Sequence, residues 1–200
     1  MGRANHAWMK RLAILACIFA LAACSRGEVR RGTSDISGVM PDLAFTMTRA
    51  NDGATVTADN YRGKAIILYF GYTHCPDECP TTLANLARAL GDLGPRANQM
   101  RVLFVSIDPK RDTLPLLKAY VSTFAPQIDG LRGTDNQIAR LARRYRVLYR
   151  VTRAAAEKGP EVMHSNSTFF FDSSGHARFV TTRTADTKTI VSDLRRLVAS

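Results

Sequence analysis

Ala65-Ile-Ile-Leu-Tyr-Phe-Gly-Tyr-Thr-His-Cys75-Pro-Asp-Glu-Cys79-Pro80 is the stretch that decides the fold of this chain. Residues 65–70 form a continuous apolar run, the pattern of a central strand buried on both faces. Beyond it, Leu83, Leu86, Ala87 and Leu90 recur at helical spacing, so Pro80–Leu93 reads as a helix that Gly91 and Gly94 bring to an end. Pro80 suits the first helical position, which would make Cys79 the N-cap. Two thiols with three residues between them therefore sit at a strand-to-helix junction. Such a pair can share one metal ion or close one small disulfide. Soft thiolates favour Cu(I), zinc or iron–sulfur clusters. The unpaired N–H groups at a helix start favour the thiolate over a thiol whose ordinary pKa is about 8.5.

The remaining elements extend from this junction in both directions. Pro41–Thr48 reads as a short strand, Asn51-Asp52-Gly53 as a turn and Thr55–Thr57 as the hairpin return. Downstream, Val102–Ile107 is a second buried strand. Thr113–Phe124 reads as a helix with Pro115 in its first turn. Leu131–Thr134 is a short strand, and Asp135–Arg144 a helix capped by Asp135. Thr168–Phe171 and Ala177–Thr181 flank the turn Ser173-Ser174-Gly175, and Asp186–Val198 is a closing helix. Strands alternating with helices indicate an α/β domain. The order resembles the thioredoxin-like fold: a central mixed sheet flanked by helices, with an N-terminal hairpin and the cysteines at the end of the first strand of a βαβ unit. Ala154–Ala156 with Gly159-Pro160 marks a flexible insertion. No internal repeat, GxGxxG motif or phosphate loop is present.

The first segment belongs to targeting and not to the fold. Arg3, Lys10 and Arg11 precede an apolar stretch, Leu12–Ala22, that is short for a bilayer span and ends in Leu21-Ala22-Ala23-Cys24. This resembles the bacterial lipoprotein cleavage box, in which the cysteine becomes the first mature residue and carries lipid. Residues 1–23 are thus expected to be a lipoprotein signal peptide, 24–40 a polar flexible tether and 41–200 the domain. The formal charge of the chain is +11. With the three signal-segment cations removed it is +8, a surplus that suits an acidic partner or anionic lipid. Export to the bacterial cell envelope, with the domain in the periplasm or on the outer face, argues against nucleic acid. Of the four cysteines, Cys17 leaves with the signal and Cys24 takes lipid, so Cys75 and Cys79 remain. The loop between them is so short that a structural disulfide would stabilise the domain only modestly.

Two thiolates leave a metal under-coordinated, and the histidines are the natural source of a third ligand. His6 lies in the signal, His176 in a turn, and His74 beside Cys75 in an extended segment that points it elsewhere. His164 lies just before the strand Thr168–Phe171, in a loop that meets the cysteine loop in a thioredoxin-like layout. A Cys75–Cys79–His164 site would suit copper. Other residues carry two readings each. Asp108 is either a turn cap or an acidic contact near the site, and Asp112 reads as a cap for the following helix. Met163 fills apolar space or offers a soft thioether, the former being the ordinary role of such a residue. Arg140, Arg143, Arg144, Arg146, Arg150 and Arg153 form a basic stripe, either a solvated face or a dock for an acidic surface or the membrane.

Thr73-His74-Cys75-Pro76-Asp77-Glu78-Cys79-Pro80, Ser106-Ile107-Asp108-Pro109-Lys110-Arg111-Asp112-Thr113 and the downstream His164-Ser165 pair resemble the signatures of the Sco/SenC family. The resemblance covers the domain from Pro41 onward. It implies a membrane-tethered, thioredoxin-like protein that holds copper, as Cu(I) and in some states Cu(II), through Cys75, Cys79 and His164. The implied role is a copper chaperone or assembly factor for the binuclear copper site of cytochrome c oxidase. Its implied partners are the copper-site subunit of that oxidase, with a second periplasmic copper chaperone as a further candidate. The chain departs from the family at Met163, where an acidic residue is usual. The alternative function is a thiol–disulfide oxidoreductase using Cys75 and Cys79 as its redox dithiol to reduce the oxidase or another exported protein. Thioredoxins, however, have two residues between their cysteines and a proline before the hairpin strand. This chain has three residues and no proline over 161–170. A peroxiredoxin-type peroxidase is disfavoured because neither cysteine carries the Pro-x-x-x-Thr-x-x-Cys pattern.

Overall fold

A computed structural model describes residues 32–152 and 162–199. The expected signal peptide, the expected lipid site Cys24 and the Ala154–Pro160 insertion lie outside the described residues. Among the described residues, ten strands and four helices follow one another: β1 (Ser34–Asp35), β2 (Thr46–Arg49), β3 (Thr55–Thr57), β4 (Ala65–Gly71), α1 (Glu78–Leu93), β5 (Met100–Ser106), α2 (Leu114–Ser122), β6 (Ile128–Arg132), α3 (Asp135–Arg144), β7 (Tyr149–Val151), β8 (Val162–His164), β9 (Thr168–Phe171), β10 (Ala177–Thr181) and α4 (Thr187–Leu197). Short 3-10 turns at 58–61 and 94–99 complete the described elements.

Eight strands build one mixed sheet in the order β1-β10-β9-β4-β5-β6-β2-β3, flanked by helices. β4, β5 and β6 run parallel, with Leu68 opposite Leu103 and Phe104 opposite Gly130. β9 lies antiparallel on the other side of β4. The apolar run of β4 is buried along its whole length, as a strand covered on both faces must be. α1 and α4 pack on each other. α2 lies against β6, where Leu117 approaches Gly130 so closely that an added Cβ would sit 2.6 Å from Leu117 Cγ.

The α/β architecture, the N-terminal hairpin β2–β3 and the C-terminal hairpin β9–β10 match the sequence expectation. Local details are corrected. α1 begins at Glu78 with Asp77 before it, so Cys79 lies inside the first turn and is not the N-cap. α3 is capped by Thr134 and not by Asp135. Thr134 Oγ1 accepts from Gln137 N while the Gln137 side chain accepts from Thr134 N, a reciprocal capping box. The tether expected up to Met40 is part of the fold from Gly32 onward. Ser34 and Asp35 pair with Val180 and Phe179, the buried Thr33 hydroxyl donates to Asp193 at 2.6 Å, and Ile36 packs on the core.

Candidate metal centre

The parallel strands β4 and β5 end at the same edge of the sheet, and the chain leaves β4 directly into the cysteine loop. Gly71 closes β4 where space is tightest: a Cβ there would lie 2.5 Å from Phe104 Cε2 and 2.9 Å from Cys79 Sγ. Cys79 is fully buried against this floor, and Cys75 is half-buried above it. The Cys79 N–H donates to Cys75 Sγ at 3.3 Å. Both cysteines are free thiols.

His164 is not in a loop, as the sequence suggests, but ends β8. β8 pairs with β7 in a separate two-stranded ribbon, with Tyr149 opposite His164. The ribbon brings the imidazole over the cysteines, with Cys79 Sγ 3.4 Å from His164 Nε2. Nδ1 lies 3.1 Å from the carbonyl of Ser165. With a proton on Nδ1 donated to that carbonyl, the Nε2 lone pair faces the thiols, which is the tautomer a metal requires. Tyr69 and Tyr72 set their rings edge-on to the imidazole at 6.2 and 6.1 Å. A side-chain hydrogen bond from Asn166 to Glu78 at 2.7 Å ties the histidine segment to the helix that carries Cys79.

Burial dominates the electrostatics. It lowers the His164 pKa, keeping the imidazole in its neutral, ligating form. The same burial, reinforced by the side-chain interaction of the two sulfurs, pushes the Cys79 thiol up to about 12. The shift runs opposite to the thiolate stabilisation expected at a helix start, with removal of the sulfur from water as its largest cause. Without a bound cation, the Cys79 proton is therefore held firmly.

Among the described residues, Cys75, Cys79 and His164 form the one group of three metal-capable side chains whose donor atoms all lie within 4.8 Å of one another. Two soft sulfurs and an imidazole, with no carboxylate in the group, fit copper and do not fit the hard oxygen-seeking cations.

The other residues singled out in the sequence fall outside this group. Asp108 is buried and caps a turn. Its carbonyl accepts from Arg111 N and Asp112 N, and its carboxylate pairs with Arg111. Arg111 in turn stacks over Tyr72 with 5.8 Å between the guanidinium carbon and the ring centroid, and Tyr72 sets its ring edge-on to His164, so Asp108 connects to the histidine through these two side chains. Thr113, not Asp112, caps α2, with its hydroxyl accepting from Leu116 N. Met163 is 63% exposed, so the space-filling reading is wrong. His74 is exposed and lies 3.7 Å from Asp112, and His176 is exposed beside Asp172. Arg140, Arg143 and Arg144 line a groove with Phe45, Met47 and Gln137, away from the thiols.

Sequence reasoning missed the β7–β8 ribbon, Asn166 and the bonds made by the Asp112 carboxylate. Aromatic and β-branched residues at Tyr149 and Val151, ahead of the Gly-Pro insertion, were the available signal for the ribbon.

Residues 41–199 match the SCO1/SenC family. Among curated relatives, Protein SenC of Rhodobacter capsulatus is 34% identical over 151 residues, covering 76% of this chain and 65% of that protein. The mitochondrial SCO1 homolog 1 of Arabidopsis thaliana is 44% identical over 109 residues, 54% of this chain and 32% of that protein. The chain thus spans about a third of the plant relative, and 54% of the bovine mitochondrial SCO2 homolog. The solved structure of Bradyrhizobium japonicum ScoI with copper bound superposes with a TM-score of 0.69 at 32% identity, covering 78% of this chain and 98% of that one. Yeast Sco1 with copper bound gives 0.72 at 32% identity, covering 80% and 90%.

Proposed function

Because the chain belongs to the SCO1/SenC family, we propose that it carries copper on Cys75, Cys79 and His164 and helps metallate the binuclear copper site of cytochrome c oxidase. The observation that carries this reading is the convergence of two sulfurs and an imidazole nitrogen within 4.8 Å. Copper is here the cargo. Loading Cu(I) replaces the two thiol protons, which leave to solvent, while His164 gives up no proton from Nε2. The half-buried position of Cys75 leaves one side of the site open for the ion to enter and to leave, whereas Cys79 and the Tyr69 and Tyr72 rings close the other. The relatives solved with copper, from Bradyrhizobium japonicum, Arabidopsis thaliana and yeast, support the choice of metal.

The test is the copper content and Cu(I) affinity of the reduced full-length chain beside its His164→Ala variant. The expected result is one copper per wild-type chain, with affinity weakened about tenfold to a hundredfold in the variant, and a Cys75–Cys79 disulfide that still forms in both. Equal affinities would remove His164 from the site. Absence of tight copper, with a readily cycled disulfide, would assign the chain to dithiol exchange instead.

Attachment to the bacterial envelope belongs to the same proposal. No helix among the described residues is long and apolar enough to cross a membrane, and the Leu21-Ala22-Ala23-Cys24 box offers Cys24 as a lipid anchor. Labelling of the expressed chain with radioactive palmitate should be strong in the wild type and absent in Cys24→Ala. Equal labelling of both would remove Cys24 as the anchor.

A further inference from the structure

Asp112 is completely buried, and among the described residues its carboxylate pairs with no lysine or arginine; its cation-capable neighbour is the exposed His74, whose Nδ1 lies 3.7 Å from Oδ1. A carboxylate in that position costs several kcal/mol unless its oxygens are taken up by donors. The donors come from the ends of two strands. Oδ1 accepts from the Thr73 hydroxyl at 2.6 Å, and Oδ2 from the Ser106 hydroxyl at 2.6 Å. The Thr73 N–H points between the two oxygens, at 3.3 and 3.1 Å. Arg132, at the end of β6, donates through Nε to the Asp112 carbonyl at 3.0 Å and through Nη2 to that of Pro109 at 2.7 Å. The segment after β4, the end of β5 and the end of β6 are therefore joined at one residue.

Capping of α2 belongs to Thr113, so the carboxylate serves another purpose. Thr73 stands two residues before Cys75, and the turn between them is closed by the Cys75 N–H donating to the Tyr72 carbonyl at 3.3 Å. Fixing Thr73 at both its N–H and its hydroxyl fixes the start of that turn, and with it the direction in which Cys75 leaves the sheet. We propose that Asp112 is a positioning residue for the cysteine loop, its carboxylate holding Thr73 so that the Cys75 sulfur is set against Cys79 and His164. The inference deepens the copper reading of the same site and rests on it only for the affinity measurement. The placement of the Cys75 sulfur is measurable without metal.

The experiment compares Asp112→Ala, Asp112→Asn, Thr73→Val, the Asp112→Ala/Thr73→Val double variant and Val56→Ala in the full-length protein. Val56 is a buried residue of edge strand β3, three strands from β5 in the sheet order, and serves as a purely destabilising control. Three readouts are taken at a fixed interval below each Tm: the rate of Cys75 alkylation by iodoacetamide in the metal-free reduced protein, the Cu(I) affinity by competition with a chromophoric chelator, and the Tm itself. Asp112→Ala should alkylate about tenfold faster and bind copper about tenfold more weakly, as expected when a group orienting a ligand is lost. Asp112→Asn, which keeps the shape and one acceptor oxygen, should recover most of both. Thr73→Val should move in the same direction, and the double variant should go little beyond Asp112→Ala, because both substitutions break one interaction. The proposal is overturned if Asp112→Ala behaves like Val56→Ala, with a lower Tm but wild-type alkylation and affinity, or if the Asp112 and Thr73 effects simply add. Should copper bind to no variant while the alkylation pattern holds, the copper reading falls and the positioning role stands.

Discussion

Gly71 shows how one absent side chain sets the site. The backbone at the end of β4 passes so close to Phe104 and Cys79 that a methyl group would overlap both, at 2.5 and 2.9 Å. The sulfur of Cys79 can lie on the sheet only because this position is bare. Gly71→Ala is therefore expected to destabilise the protein by about 1–3 kcal/mol through overpacking and to weaken copper binding by displacing Cys79. Urea unfolding and a Cu(I) competition titration check the two effects. Wild-type values in both would mean that the Phe104 ring and the helix start yield at no cost. Burial decides the chemistry of Cys79 in the same way. From the sequence, a thiol near a helix start reads as acidified. Complete enclosure pushes it up instead, loss of hydration being the largest cause. Residue-level chemistry of this kind was not legible in the sequence, since burial is a property of the assembled core.

Elements differed in how plainly the chain announced them. β4 and β5, each seven residues long and buried on both faces apart from Arg101, write an apolar run that no helix of that length would need. The hairpins β2–β3 and β9–β10 carry Asn-Asp-Gly and Ser-Ser-Gly turns between their strands. β1, β7 and β8 are two or three residues long, too short for any periodicity to register, and β1 pairs with a strand far along the chain. The ribbon is the costlier omission, because it carries His164: the residue was legible as a ligand candidate, but the element that orients it was not. Helix starts were off by a residue or two for a related reason. Asp135 and Thr134 are both good caps on composition, and only the extended backbone of Thr134 with Gln137 three positions on separates them.

At the scale of the whole molecule, the sheet gathers the site by parallel strands ending together, while its far side carries an unrelated buried charge. Asp129 in β6 accepts from the Tyr61 hydroxyl at 3.0 Å, and burial raises its pKa above the ordinary carboxylate value although Arg49 and Arg101 pull the other way. This has a definite consequence for the stability of the fold. A carboxyl with a raised folded-state pKa holds its proton in the native state at pH values where the unfolded chain, titrating near 4, has already released it. The native state then binds more protons than the unfolded one, so stability falls as pH rises through that window. The contribution is fully present below about pH 4 and is lost once pH has passed the folded-state pKa. Asp129→Asn is neutral at every pH and keeps a carbonyl oxygen for the Tyr61 hydroxyl. Urea unfolding of both proteins between pH 3.5 and 7.5 should therefore show the variant gaining stability relative to wild type as pH increases, most steeply between the unfolded-state and folded-state pKa values. A difference that stays constant across the series would mean that the Tyr61 hydroxyl and the two arginines offset the burial of the carboxylate completely.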